Sequence, residues 1–305
     1  MSSLIITQLL NGLQLGVLLF LLAAGLTLVF GIMNFVNLAH GSLYMMGAFF
    51  AASAYNATDS FLLAAAAATL GMALLGWVLE RWVVRHLSQR DHLDHVLATF
   101  GLILFFNELA RMVWGSQPYY MQVPQALAST VSVFGIDYSA YRLLIIAVGL
   151  AVAAGLYWLI HRTRLGMLIR AGASNPSMVA ALGVNIGRLN TILFSLGAAL
   201  AGVAGLMAAP ILSVQPGMGD GILILTLVVI VIGGIGSVRG SFYAALIVGV
   251  VDTLGRSVLP LALREVFERS TANAAGPALA SMLIYVLMAV VLAVKPQGLF
   301  PVKHG

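Results

Sequence analysis

Between Met1 and Ser60 the chain carries a single Asp, Asp59, and no Glu, Lys or Arg; His40 is the only other side chain there that readily takes a charge. A water-facing surface of that length carries charges of both signs. Hydrocarbon demands none, and it takes about 20 residues per helical crossing. The stretch suffices for two crossings, and Asn34, Asn37 and His40 fall at the seam between them. Polar groups kept in a segment that otherwise avoids them mark a candidate functional site.

The whole chain follows the same rule. Soluble domains carry about 25% charged residues; this one carries 8%, with 61% hydrophobic residues and a mean hydropathy of +1.03. A soluble protein of 305 residues cannot hide that much apolar surface. The fold class is therefore all-α: a polytopic transmembrane helical bundle forming one domain over 1–305. A β-barrel would show short alternating segments, whereas these runs are long and rich in Leu, Ala, Val and Gly. Without cysteine there is no disulfide framework and no thiolate metal site. Met1-Ser2-Ser3-Leu4 lacks a basic n-region, so the first helix is expected to be retained. The net charge of +5 collects in a few short loops, as the positive-inside rule expects, and forms no dense basic face for nucleic acid.

Apolar segments fall at about 4–31, 35–57, 60–83, 93–115, 140–160, 190–212, 222–238, 241–258 and 278–295, each near the length a crossing needs. About eight or nine helices are expected. The segments 35–57 and 222–258 contain glycine or polar interruptions, so broken or re-entrant helices are expected there. Arg81, Arg85 and Arg90 share one loop; Arg162, Arg164, Arg170 and Arg188 share another; Lys295 and Lys303 close the chain. Placing them in the cytoplasm puts the N-terminus outside and the C-terminus inside. Loop 116–139, free of Lys and Arg, then lies outside. So does 256–277, read as a surface helix starting after Pro260 and ending near Asn273 and Gly276. Gly12 with Gly16, Ala198 with Gly202, Ala201 with Gly205 and Gly236 with Gly240 have helix-packing spacing.

Three elements carry candidate chemistry. The first is the polar seam of Asn34, Asn37, His40, Ser42 and Tyr44. Unpaired polar groups in hydrocarbon cost several kcal/mol, so these line a solute path or fix helices by hydrogen bonds. The second is Gly233-Gly234-Ile-Gly236-Ser-Val-Arg239-Gly240, read as a turn between crossings with Arg239 at the cytoplasmic edge. It lacks the context of a nucleotide fingerprint, and no P-loop occurs in the chain. Gly240-Ser-Phe-Tyr243 echoes Gly41-Ser-Leu-Tyr44, a weak hint of a repeat. The third is the loop at about 161–188. Ser174-Asn175-Pro176 reads as a helix start. Met178, Val179, Ala181 and Leu182 form a short apolar face, and Gly183 is the stop. A helix this short needs a surface to dock on, either its own helix ends or a groove on a partner. Glu108 and Arg111 are spaced for an ion pair. His40 has no partner His at metal-ligand spacing, and no catalytic constellation occurs, so the chain is not expected to be an enzyme.

The stretch Gly25-Leu-Thr-Leu-Val-Phe-Gly-Ile-Met-Asn-Phe-Val-Asn-Leu-Ala-His-Gly-Ser-Leu-Tyr-Met-Met-Gly47 resembles the N-terminal signature of permease subunits of branched-chain amino acid ABC importers. Ala180-Ala-Leu-Gly-Val-Asn185, Ala198 to Gly205, Gly233 to Gly240 and Lys295-Pro-Gln-Gly-Leu-Phe300 extend the resemblance nearly end to end. The chain is similar to the shorter of that family's two permease types. The resemblance implies a bacterial inner-membrane importer. Its other parts would be a second permease subunit in a heterodimer, two cytoplasmic ATPase subunits holding ATP and Mg, and a periplasmic solute-binding protein. No cofactor would bind this chain directly. The resemblance also makes Asn175, Pro176, Met178, Val179, Leu182 and Gly183 the ATPase-coupling element, although Ser174-Asn175 stands where the family often has an acidic residue. Translocation would proceed by alternating access. Branched-chain amino acids are the first candidate solutes; urea and short amides are served by related permeases. A secondary transporter or passive channel is the rival, and the absence of a central Asp or Glu weighs against the former.

Overall fold

The computed structural model describes residues 2–301 apart from Gln89, Phe134 and Val266; Lys303 lies outside the described residues. Helices α1 (Ser2–Met33), α2 (His40–Thr58), α3 (Phe61–Leu87), α4 (His92–Trp114) and α5 (Ala140–Arg162) are followed by two short ones, α6 (Arg164–Ser174) and α7 (Pro176–Ala181). Then come α8 (Ile186–Ala208), α9 (Met218–Gly233), α10 (Val238–Leu263) and α11 (Arg269–Val294). Between α4 and α5, Thr130–Val133 and Ile136–Ser139 form a small antiparallel hairpin. A bridge between Tyr119 and Val214 ties this loop to the α8–α9 connection.

Among the described residues seven helices, α1, α3, α4, α5, α8, α10 and α11, are long and apolar enough to cross a membrane. The other two of the expected nine segments are α2, with 19 residues, and α9, with 16. At 1.5 Å per residue α9 reaches only about 24 Å, short of a hydrocarbon core of about 30 Å. These are the segments the sequence marks as broken: the chain leaves helix at 34–39 and again at 234–237.

One expectation is corrected. No separate surface helix follows Pro260. That proline lies inside α10, and Asn273 and Gly276 lie inside α11. The physical reason is close packing: Gly276 leaves room for the Pro260 ring, since a Cβ there would stand 2.5 Å from its Cγ. A neighbouring helix that receives the ring lets proline persist in a membrane helix.

The small-residue pairs do pack helices. Gly12 and Gly16 abut the backbone of Val250 and Ala245, Gly202 abuts Ala68, and Gly205 abuts Tyr44. Thr27 and Ser241 share a 2.7 Å hydrogen bond across α1 and α10. The apolar core gathers around α2, with Leu43, Met45 and Phe49 fully buried against Phe35, Tyr141 and Phe194.

The architecture is an inverted repeat of four helices. α1–α4 correspond to α8–α11: His40, Phe61 and His92 open their helices 178, 177 and 177 residues ahead of Met218, Val238 and Arg269. α1 packs antiparallel on α10 as α3 packs antiparallel on α8. Ser60 and Ser237 cap equivalent helices, each accepting a backbone N–H three residues on. Sequence identity follows: Leu19, Phe20, Leu22, Ala24, Leu26, Val29, Gly31 and Met33 recur as Leu193, Phe194, Leu196, Ala198, Leu200, Val203, Gly205 and Met207. The short echo between Gly41–Tyr44 and Gly240–Tyr243 belongs to non-equivalent elements, one opening α2 and the other opening α10.

Candidate functional site

Each repeat contributes one short helix, and the two meet start to start. Gly41 and Gly219 lie in reciprocal contact, where either Cβ would clash with the other backbone. α2 begins level with the middle of α1, because His40 Nε2 is 3.1 Å from the Leu22 carbonyl oxygen; that acceptor makes Nε2 the protonated nitrogen. The start of α9 is held from α4: the Gly217 N–H donates to Asn107 Oδ1 at 3.1 Å.

The seam residues divide. Asn37, His40, Ser42 and Tyr44 are brought together on the entry to α2 and its first turns, all buried. Asn37 Nδ2, His40 Nδ1 and Ser42 Oγ have no hydrogen-bond partner among the described residues. Asn34 stands apart, exposed at the end of α1 with φ 47 and its N–H on the Phe30 carbonyl, a left-handed cap.

The loop between α5 and α8 folds as two capped helices. Thr163 Oγ1 accepts the Gly166 N–H at 3.0 Å to start α6, and Arg170 donates to the Ile160 carbonyl oxygen. α6 was not anticipated; Thr163 before Leu165, Ile169 and Gly172 is the signal that marks it. Asn175 Oδ1 accepts the Met178 N–H at 2.9 Å, with Pro176 in the first turn, as expected of α7. Gly183 stops it at φ +87. The anticipated four-residue apolar face is split: Val179 is 6% exposed and packs inward, while Met178 and Leu182 are 60% and 77% exposed.

The glycine turn packs against the end of α1 and the C-terminal segment after α11. Gly234 and Gly236 take φ of 102 and 83, and Gly233 touches Gly240 so closely that neither tolerates a Cβ. Gly31 of α1 lies against Gly236. The Leu299 and Phe300 N–H groups donate to the Ile232 and Gly233 carbonyls at 2.8 and 3.0 Å, and Arg239 stands 6.0 Å from the Phe300 ring centre. A cavity of about 650 Å³ opens beside this turn, lined by α1, α5, α6 and α10 with Arg170, Arg239 and His161 among its walls.

Elsewhere, Glu80 is buried at 1% exposure and accepts from Thr191 Oγ1 at 2.6 Å, with Arg85 3.6 Å away. Asp252 pairs with Arg256 at 2.8 Å, and Glu108 with Arg111 at 3.5 Å as the spacing predicted. Tyr138 donates to Asn11 Oδ1 at 3.0 Å, and burial raises its phenol pKa, partly offset by the nearby Arg142. Among the described residues no cluster of three or more His, Asp or Glu is arranged to hold a metal ion.

The family model described as the permease component of branched-chain amino acid transport systems matches residues 8–292. The high-affinity branched-chain amino acid transport permease BraD of Pseudomonas aeruginosa is 32% identical over 266 residues, covering 82% of this chain and 86% of that protein. The corresponding permease LivH of Escherichia coli K12 is 27% identical, covering 96% of this chain and 94% of its own. The ribose import permease RbsC of Escherichia coli K12 is 27% identical over 76% of this chain and 72% of its own. No solved structure matches.

Proposed function

This chain belongs to the family of permease components of branched-chain amino acid transport systems, and from that premise we propose that it is the translocating subunit of an ATP-driven importer for branched-chain amino acids or a related small solute. Residues 1–305 act as one permease domain, with 161–188 as its coupling loop. The importer sits in the bacterial inner membrane, with the N-terminus periplasmic and the C-terminus cytoplasmic, as the basic loops suggest.

The observation that carries the reading is the exposure of Met178 on α7 and of Leu182 at its C-cap. A two-turn helix capped at both ends, with two large apolar side chains held out into solvent, is built to enter a groove on another chain. The occupant of that role is an ATPase subunit carrying ATP and Mg. A second permease and a periplasmic solute-binding protein complete the assembly. Asn37, His40, Ser42 and Tyr44, at the meeting point of α2 and α9, are the proposed polar contacts along or beside the path, with Asn34 at its cytoplasmic margin. Weak contacts serve a permease, since a tight site slows release. Solute choice then rests with the binding protein, and a relative named for ribose import fits that division.

The test is a pull-down of the tagged chain from membranes, with ATPase activity assayed on what accompanies it. ATPase subunits retained by the native chain, and lost when Met178 and Leu182 become Asp, support the reading. A chain that purifies alone and moves solute into liposomes without ATP makes it a channel or secondary carrier instead.

A further inference from the structure

A groove of about 890 Å³ between α3 and α8 plays no part in that reading. The two helices run antiparallel here: Arg85 bonds Gly187 and Thr191 at one end, and Gly76 touches Ala198 further in. Arg81, Arg85 and Arg188 line the end nearest the loops, and Trp77 and Ile192 continue the groove into the bundle. The wall therefore passes from guanidinium to indole and aliphatic side chain along its length.

The charge is unspent. Arg81 and Arg188 are exposed and make no side-chain hydrogen bond or ion pair among the described residues. Among the described residues no carboxylate lines the groove. Glu80 turns inward and is taken up by Thr191 and Arg85. Trp77 and Trp82 are 48% and 74% exposed, as amphipathic indoles are where chain meets headgroup. Guanidinium groups pair with phosphate oxygens in a fixed two-point geometry, and basic pockets between membrane helices receive anionic lipid headgroups.

We propose that the α3–α8 groove is a binding site for an anionic phospholipid. Its phosphate lies between Arg81 and Arg188, with Arg85 behind, and an acyl chain runs along Trp77 and Ile192. The lipid joins the end of one repeat's third helix to the start of the other repeat, next to α7.

The full chain, purified with the subunits that accompany it, is placed in phosphatidylcholine vesicles with rising fractions of phosphatidylglycerol brominated on its acyl chains. Tryptophan emission is the readout. The expected result is quenching in excess of that by brominated phosphatidylcholine, saturating with lipid fraction. Changing Arg81 and Arg188 to Gln raises the half-saturating fraction roughly thirtyfold, and Trp77→Phe with Trp82→Phe removes the excess while leaving lipid retention by native mass spectrometry unchanged. Equal quenching by the two brominated lipids overturns the proposal. So does an excess that survives the arginine changes, or an accompanying subunit that shields the tryptophans from either lipid.

Discussion

Gly25 and Gly197 face each other across the two repeats: a Cβ on the first would lie 2.7 Å from the carbonyl oxygen of the second, and a Cβ on the second 2.9 Å from that of the first. The relationship is reciprocal because α1 and α8 occupy equivalent places in opposite orientation. Oxygens at that distance from carbon cannot move without the helix that bears them.

Gly25→Ala or Gly197→Ala is therefore expected to destabilise the chain by about 1–3 kcal/mol, the cost of overpacking. Gly101, inside α4 with nothing within 4 Å of its absent Cβ, is the control. Gly101→Ala should leave stability unchanged or raise it by up to about 1 kcal/mol. Thermal unfolding in detergent, read by circular dichroism, compares the three.

The split face of α7 separates folding from docking. Met178→Asp and Leu182→Asp touch exposed positions and should shift stability by less than about 0.5 kcal/mol. Val179→Asp puts a charge at a buried position and should lower the unfolding temperature measurably. Retention of ATPase subunits without a stability change in the first pair would remove α7 from the coupling role.

Glu80 accepts one hydrogen bond from Thr191 in a buried place. Thr191→Val withdraws that donor and should cost about 1–3 kcal/mol. Arg85→Ala leaves the same carboxylate without its cation and should cost about 3–5 kcal/mol. A double-mutant cycle on Thr191 and Arg85, read in urea, is expected to show clear non-additivity, since both act on one carboxylate.

Tyr138 gives the hairpin end of the bundle a pH dependence. Burial favours the neutral phenol, so its folded pKa lies above the unfolded value of about 10. The contribution is complete below that value and is lost as pH rises through the folded pKa. Unfolding followed from neutral to alkaline pH should show a loss beginning near pH ~10 that is smaller in Tyr138→Phe. Arg142 opposes the upward shift, so Arg142→Met should leave the onset where it is, make the loss larger and extend it to higher pH.

Long apolar runs made the helical bundle legible, because hydrocarbon imposes a length and a composition at once. The α7 cap was legible for a local reason: Asn175 and Pro176 act on neighbouring backbone alone. Pro260 misled because its tolerance depends on Gly276, in a helix that follows it. The repeat escaped because its second copy is offset by a connection three residues longer, 209–217 against 34–39, and because small apolar residues match by chance. The splitting of Met178 from Val179 needs the surface beneath α7, which only the packed bundle supplies. Among the seam residues, polarity pointed to the entry of α2, but not to which side chains would be left without partners.

The last carbonyls of α9 have a consequence for synthesis. Gly233 waits for the N–H of Phe300, sixty-seven residues further along. At translation rates of about 5–20 residues per second that is roughly 3–13 s in which the glycine turn has no latch. The second repeat thus stays unlocked until its own C-terminal segment emerges, and a message cut short there yields a chain that inserts but never closes, a ready substrate for membrane proteases.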